Sequence, residues 1–111
     1  MIDPQQLTAI ASGAPELVLE IIADFHSDAL EIISQLSSSL TENDFTTSEG
    51  LFHQLCGTSG TLGLTDLYQT LKAHQQQCRN RQEFDEIIAP LTDLLESSVA
   101  QARQHLEKQA D

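Results

Sequence analysis

Apolar residues recur along most of this chain at intervals of three and four, the repeat of a helix that buries one face. Val18, Ile22, Phe25, Ala29, Ile32, Leu36 and Leu40 carry that repeat without interruption and predict one long amphipathic helix. Ahead of it, Asp3-Pro4 predicts the opening of a short helix to about Ala11, because Asp can accept from the free N–H groups of a first turn and Pro fits the first helical position. Ser12-Gly13-Ala14-Pro15 breaks that helix and starts the long one. After the polar turn at Thr41 to Asp44, Thr46 and Glu49 have the spacing of a capping box and predict a third helix to about Leu62. Gly63 is the expected stop and Thr65 the expected cap of a fourth helix, with Leu67, Leu71, His74 and Cys78 on one stripe. A polar stretch from Arg79 to Gln82 precedes Phe84, Ile88, Leu91, Leu95, Val99, Ala102 and Leu106, the stripe of a fifth helix. Pro90 should kink that helix or mark a break at Ala89, and the polar C-terminal tail should fray. No strand pattern competes, so the expected fold is all-α: an up-and-down four-helix bundle with a short additional N-terminal helix.

Composition narrows what such a bundle can do. The 111 residues, 40% of them hydrophobic, suit a single domain spanning 1–111. Seventeen acidic residues against five basic ones give a formal charge of -12, which excludes nucleic acid and anionic membranes as partners and leaves proteins. There is neither an apolar run of about 18 residues nor a signal-peptide pattern, and two cysteines make no disulfide framework, so a cytoplasmic monomer is expected. Cys78 is read as core filler and Cys56 as lying nearer the core boundary; His26 and His105 are read as surface residues, and His74 as buried or half-buried.

The third helix carries the candidate chemistry. Phe52, Leu55, Ser59 and Leu62 share its core stripe, which turns His53, Gly57 and Gly60 outward. Each helical glycine costs about 1 kcal/mol relative to alanine, and access explains their presence: bare backbone beside an imidazole lets another surface come close. With Leu64 as the midpoint of the hairpin between the third and fourth helices, His53 and Gln75 fall at one level. Gln75 is then placed to hydrogen-bond the ring or an adduct on it, and Arg79, one turn further, to attract an anionic group. An imidazole is in part neutral at pH 7 without a dedicated base, so His53 is a candidate nucleophile.

The stretch His53-Gln54-Leu55-Cys56-Gly57-Thr58-Ser59-Gly60-Thr61-Leu62-Gly63 resembles the motif of the histidine-containing phosphotransfer (HPt) domains of two-component phosphorelays, His-x-Leu-Lys-Gly-Ser-Ser/Ala followed by Leu-Gly. Helix order, chain length and Gln75 extend the likeness over essentially the whole chain. Two positions depart from it: Cys56 stands where the family usually has a Lys that helps to hold the phosphoryl group, and His74 where an apolar residue is usual. The resemblance implies that His53 accepts a phosphoryl group from an aspartyl phosphate of a response-regulator receiver domain and passes it to another receiver. Gln75, Arg79 and Cys56 are the expected support around the phosphate, and Arg79 is expected to compensate for the missing Lys. The resemblance also implies docking through Gly57, Gly60 and apolar residues of the N-terminal segment, Leu7 and Ile10. No ATP-binding or kinase motif is present, so a phosphocarrier rather than an enzyme is expected, with no cofactor of its own and with Mg²⁺ held by the receiver. Met1 favours a free-standing protein over a piece of a hybrid sensor kinase, which remains a partner in either case.

Two other readings stay open. The chain can be a receiver-binding module that carries no phosphate, since a neutral thiol replaces the lysine. Less well supported is a zinc-binding bundle, because His53-x-x-Cys56 and His74-x-x-x-Cys78 have helical ligand spacings; no metal site is expected, because His53 faces away from the stripe that holds His74 and Cys78.

Overall fold

The computed structural model describes residues 2–110, and among them there are five α-helices and no strand: α1 (Pro4–Ala11), α2 (Pro15–Thr41), α3 (Phe45–Thr61), α4 (Thr65–Arg79) and α5 (Ile88–Ala110). The first two follow the expected boundaries for the expected reasons. Asp3 accepts from the Gln6 backbone N–H, and Pro4 occupies the first helical position. Ser12, left-handed at φ 42°, and Gly13, at φ 86°, end α1, and Pro15 then opens α2.

Three boundaries differ from the sequence expectation. The cap of α3 is Asp44, whose carboxylate accepts from the Thr47 N–H at 3.2 Å, so the helix starts at Phe45 and the Thr46–Glu49 pair lies inside it. The two Thr47 hydrogen bonds, with a smaller contribution from Arg81, hold the Asp44 carboxyl below its ordinary value. At the head of α4, Leu64 takes the cap position with no side-chain bond, and Thr65 is already helical. Its hydroxyl donates backward to the Gly63 carbonyl. At α5, the Glu86 carboxylate accepts from the N–H groups of Ile88 and Ala89 at 2.6 and 3.3 Å and so caps a helix that begins at Ile88. Pro90 sits in that first turn, where a missing N–H costs nothing, and no kink is needed. Phe84 and Ile87 belong to the preceding segment and pack half-buried against the core. The expected frayed tail is instead helical, and the Gln109 amide donates to Thr8 Oγ1 at 2.7 Å.

The helices enclose one cluster of buried residues in a molecule elongated to 47 × 20 × 18 Å, as suits a 27-residue helix about 40 Å long. α3 packs on α2 and α4, and α5 packs on α1, α2 and α4. Along α2 the buried positions are Pro15, Val18, Ile22, Phe25, Ala29, Ile33, Leu36 and Ser39; Ile32 and Leu40, expected in the core, are half-buried beside it. The substitution of Ile33 for Ile32 follows from 3.6 residues per turn, which drifts past a strict three-four repeat over several turns. Ser39 is accommodated by a hydroxyl–hydroxyl hydrogen bond of 2.6 Å to Ser48 of α3. Among the described residues no single helix is long and apolar enough to cross a membrane.

Candidate phosphotransfer site on α3 and α4

Gly63, at φ 71°, turns the chain between α3 and α4. The Leu64 N–H donates back to Ser59 O at 2.9 Å, and α1 fastens the same end: the Asp3 N–H donates to Gly63 O, and the Gln6 amide donates to Gly60 O and Thr61 O at 2.7 and 2.9 Å. The bonds to Ser59, Gly60 and Thr61 satisfy α3 carbonyls that have no partner within their own helix. They also build one wall of an open hollow of about 750 Å³ lined by α1, α3 and α4.

His53 is exposed on the α3 side of that hollow. Gln75, 9% exposed, reaches it from α4, with the amide nitrogen 3.3 Å from the imidazole Nδ1. The hairpin symmetry about Leu64 therefore brings together the two side chains it paired. The amide NH₂ donates to Nδ1 when the ring proton is on Nε2; turned half over, its Oε1 accepts from an Nδ1–H instead. Nε2 makes no hydrogen bond to any described residue, and His53 lines the hollow.

Gly57 is exposed, and a Cβ built there meets nothing within 4 Å. Gly60 serves a different end: a Cβ would come within 3.0 Å of two carbons of the Tyr68 ring, so this glycine lets the tyrosine lie flush on α3. Cys56 is more deeply buried than its predicted boundary position, at 5% exposure, and burial pushes its thiol up while the Lys72 ammonium pulls it partly back. Lys72, which the motif does not single out, lines the hollow beside Gln75, with Nζ 5.5 Å from the Tyr68 ring centre. Pairing positions about Leu64 also sets Lys72 opposite Cys56, which is the signal that could have found it.

Two expected site residues lie elsewhere. Arg79 is absent from the hollow; its Nε donates to the Glu49 carboxylate at 2.5 Å, in a smaller depression with Phe45 and Cys78. The cause is local: Glu49 precedes His53 by one turn as Arg79 follows Gln75 by one turn, so the hairpin sets the two charges face to face. Leu7 is fully buried in the core and has no surface to offer a partner, whereas Ile10 is 37% exposed. The larger apolar exposures are Leu17 at 62% and Ile21 at 49%, one turn apart on α2. Ile21 borders a second groove that runs to Gln54 and Thr58 on α3, next to His53 and Gly57 in sequence. Their i, i+4 spacing beside the core stripe marks a second apolar edge of α2 in the sequence itself.

The zinc reading finds no support in the geometry. His74 packs with Phe52 and Phe84, ring centres 5.3 and 5.5 Å away, and burial lowers its pKa from the ordinary 6.5. Cys78 is buried by the Glu49–Arg79 pair, and burial, with the Glu49 charge, pushes its thiol to about 11. Among the described residues no three His, Cys, Asp or Glu side chains are placed to share an ion. His26 and His105, predicted at the surface, are partly covered, His26 bonded to Glu96 at 2.8 Å and His105 to Thr8 at 2.9 Å.

An all-helical chain with an exposed histidine beside bare backbone has the form of a phosphotransfer domain. A family model described as the Hpt domain matches residues 20–108, most of the chain, and the chain belongs to that family. Its class of activity is accordingly phosphotransfer in two-component signalling, among receiver domains and kinases, in the manner of a carrier rather than an enzyme. Comparison with curated proteins and with solved structures finds no match.

Proposed function

We propose that this chain is a phosphocarrier in which His53 Nε2 takes a phosphoryl group from the aspartyl phosphate of one receiver domain and yields it to an aspartate of another. The observation that carries the reading is the Gln75 amide on Nδ1, which leaves Nε2 as the ring nitrogen without a partner among the described residues, on a histidine exposed at the hollow. With Oε1 of Gln75 accepting from Nδ1–H, the Nε2 lone pair attacks phosphorus, the Nε2–P bond forms as the acyl P–O bond breaks, and the aspartate leaves as a carboxylate. The ring keeps its Nδ1 proton and becomes cationic, a charge that the Gln75 oxygen stabilises. No proton has to leave the site, so no dedicated base is needed. The reverse sequence on a second receiver discharges the carrier.

Geometry around His53 supports an incoming receiver. Gly57 puts no side chain in its way, and Ile10, Leu17 and Ile21 offer apolar contact, with Leu17 and Ile21 taking the place first given to Leu7. Cys56 and Arg79 lose the phosphate-supporting part expected of them, because one is a buried neutral thiol and the other is held by Glu49. The working unit is one domain, 1–111, an up-and-down four-helix bundle with α1 added, acting as a cytoplasmic monomer without an ATP site or cofactor. Mg²⁺ in transfer belongs to the receiver. Its partners are receiver domains and a hybrid sensor kinase, not nucleic acid or membrane.

Incubation with a panel of labelled phospho-receiver domains tests this. Acid-labile, base-stable label should move to the chain and be absent from His53→Gln. A receiver that binds without passing label would favour the phosphate-free interaction module instead, and label that persists in His53→Gln would remove His53 from the reading.

A further inference from the structure

Phosphorylating an imidazole places a dianionic group on a chain of formal charge -12. Without a cation at its oxygens such a group forms slowly and is held poorly. Cys56, one turn along α3 from His53, is buried and stays a neutral thiol. Arg79 already serves Glu49. Among the described residues that line the hollow, Lys72 is the one lysine or arginine.

Its position suits the task. Lys72 precedes Gln75 by three residues on α4, so both project from the same face toward α3. Lys72 is exposed and makes no ion pair with a described carboxylate. Its ammonium rests instead over the Tyr68 ring, a ring seated against α3 by the absence of a side chain at Gly60. That resting contact is weak beside a charge-assisted hydrogen bond to a phosphoryl oxygen. Four rotatable bonds allow the head group to leave the ring without any movement of α4.

We propose that Lys72 is the phosphoryl-binding cation of this site, parked over Tyr68 while His53 is unmodified and swung onto the phosphoryl oxygens as they arrive. The charge is thus supplied across the hairpin from α4, and not from the helix that carries the histidine. This rests on the phosphocarrier reading of His53.

Phosphoramidate provides a test that needs no partner protein: the ring nitrogen displaces ammonia, the P–N bond of the donor breaks as the Nε2–P bond forms, and ³¹P NMR follows the adduct. The wild-type chain should give a phosphohistidine signal that His53→Gln lacks. Lys72→Met should form the adduct about tenfold more slowly and lose it several-fold sooner, the scale of one charge-assisted hydrogen bond. Lys72→Arg should stay within about threefold of wild type in both, since it keeps the charge. Added salt should slow the wild-type reaction and leave Lys72→Met unchanged, a difference that a structural role would not produce. Thermal melts of both variants should match wild type. Wild-type rates and lifetimes in Lys72→Met, beside a His53-dependent wild-type signal, overturn the assignment of Lys72 alone. No wild-type signal, or one retained in His53→Gln, overturns the phosphocarrier reading and Lys72 with it.

Discussion

Two adjacent levels of the α3–α4 hairpin treat charge in opposite ways. At the level of Glu49 and Arg79, a carboxylate and a guanidinium meet at 2.5 Å and close on each other. One turn away, at His53, Gln75 and Lys72, an amide touches one ring nitrogen, a lysine lies over a tyrosine, and the remaining polar capacity opens onto the hollow. The first level is complete as it stands; the second leaves an imidazole nitrogen and an ammonium without a hydrogen-bond partner among the described residues. A polar cluster that is already self-satisfied has little left for a ligand, so the level with unspent donors is the one to which function belongs.

The most severe way to break this contrast is His53→Gln, which should abolish acid-labile phosphorylation by any receiver while leaving the melting temperature unchanged, because the ring is exposed. Gly57→Leu should come next. It places a large side chain where a Cβ now meets nothing, so transfer from a phospho-receiver should fall at least about tenfold, while uptake from phosphoramidate is largely kept. Gly57→Ala separates access from folding: it should raise unfolding free energy by up to about 1 kcal/mol in urea titrations. A smaller effect attaches to His74. Burial lowers its folded pKa from the ordinary 6.5, so the folded state resists protonation. Stability is therefore full above pH 6.5 and declines as pH falls from there toward the lowered folded value, where the unfolded chain binds the extra proton. His74→Phe should flatten that part of a melting-temperature profile. The smallest effect belongs to the closed level: Arg79→Gln should change phosphorylation less than twofold and cost no more than about 1 kcal/mol of stability, the range of an exposed pair.

Most of the fold was legible because five helices of this chain carry unbroken apolar stripes between Pro, Gly and Asp punctuation. What periodicity could not arbitrate was competition between caps. Asp44 and the Thr46–Glu49 pair each offer a start for α3, and a carboxylate one residue before the helix wins; Pro90 reads as a breaker until Glu86 is seen capping the turn that contains it. At the site, pairing residues about Leu64 found His53 and Gln75 from spacing alone. The same arithmetic set Lys72 across from Cys56, yet the expectation fell on Arg79, one turn beyond Gln75, whose position depends on the Glu49 carboxylate one turn before His53. Leu7 and Ile10 were indistinguishable by hydropathy, and only the packing of α1 on α2 and α5 sends one inward and the other out.

Tyr68 is the single tyrosine of a chain that contains no tryptophan. Its ring is wedged at Gly60 and topped by the Lys72 ammonium, so the molecule's near-ultraviolet emission originates within the hollow itself. Arrival of an anion at His53, or departure of the lysine from the ring, can accordingly be watched in real time on the unlabelled protein, with the four phenylalanines left silent by exciting at wavelengths that tyrosine alone absorbs.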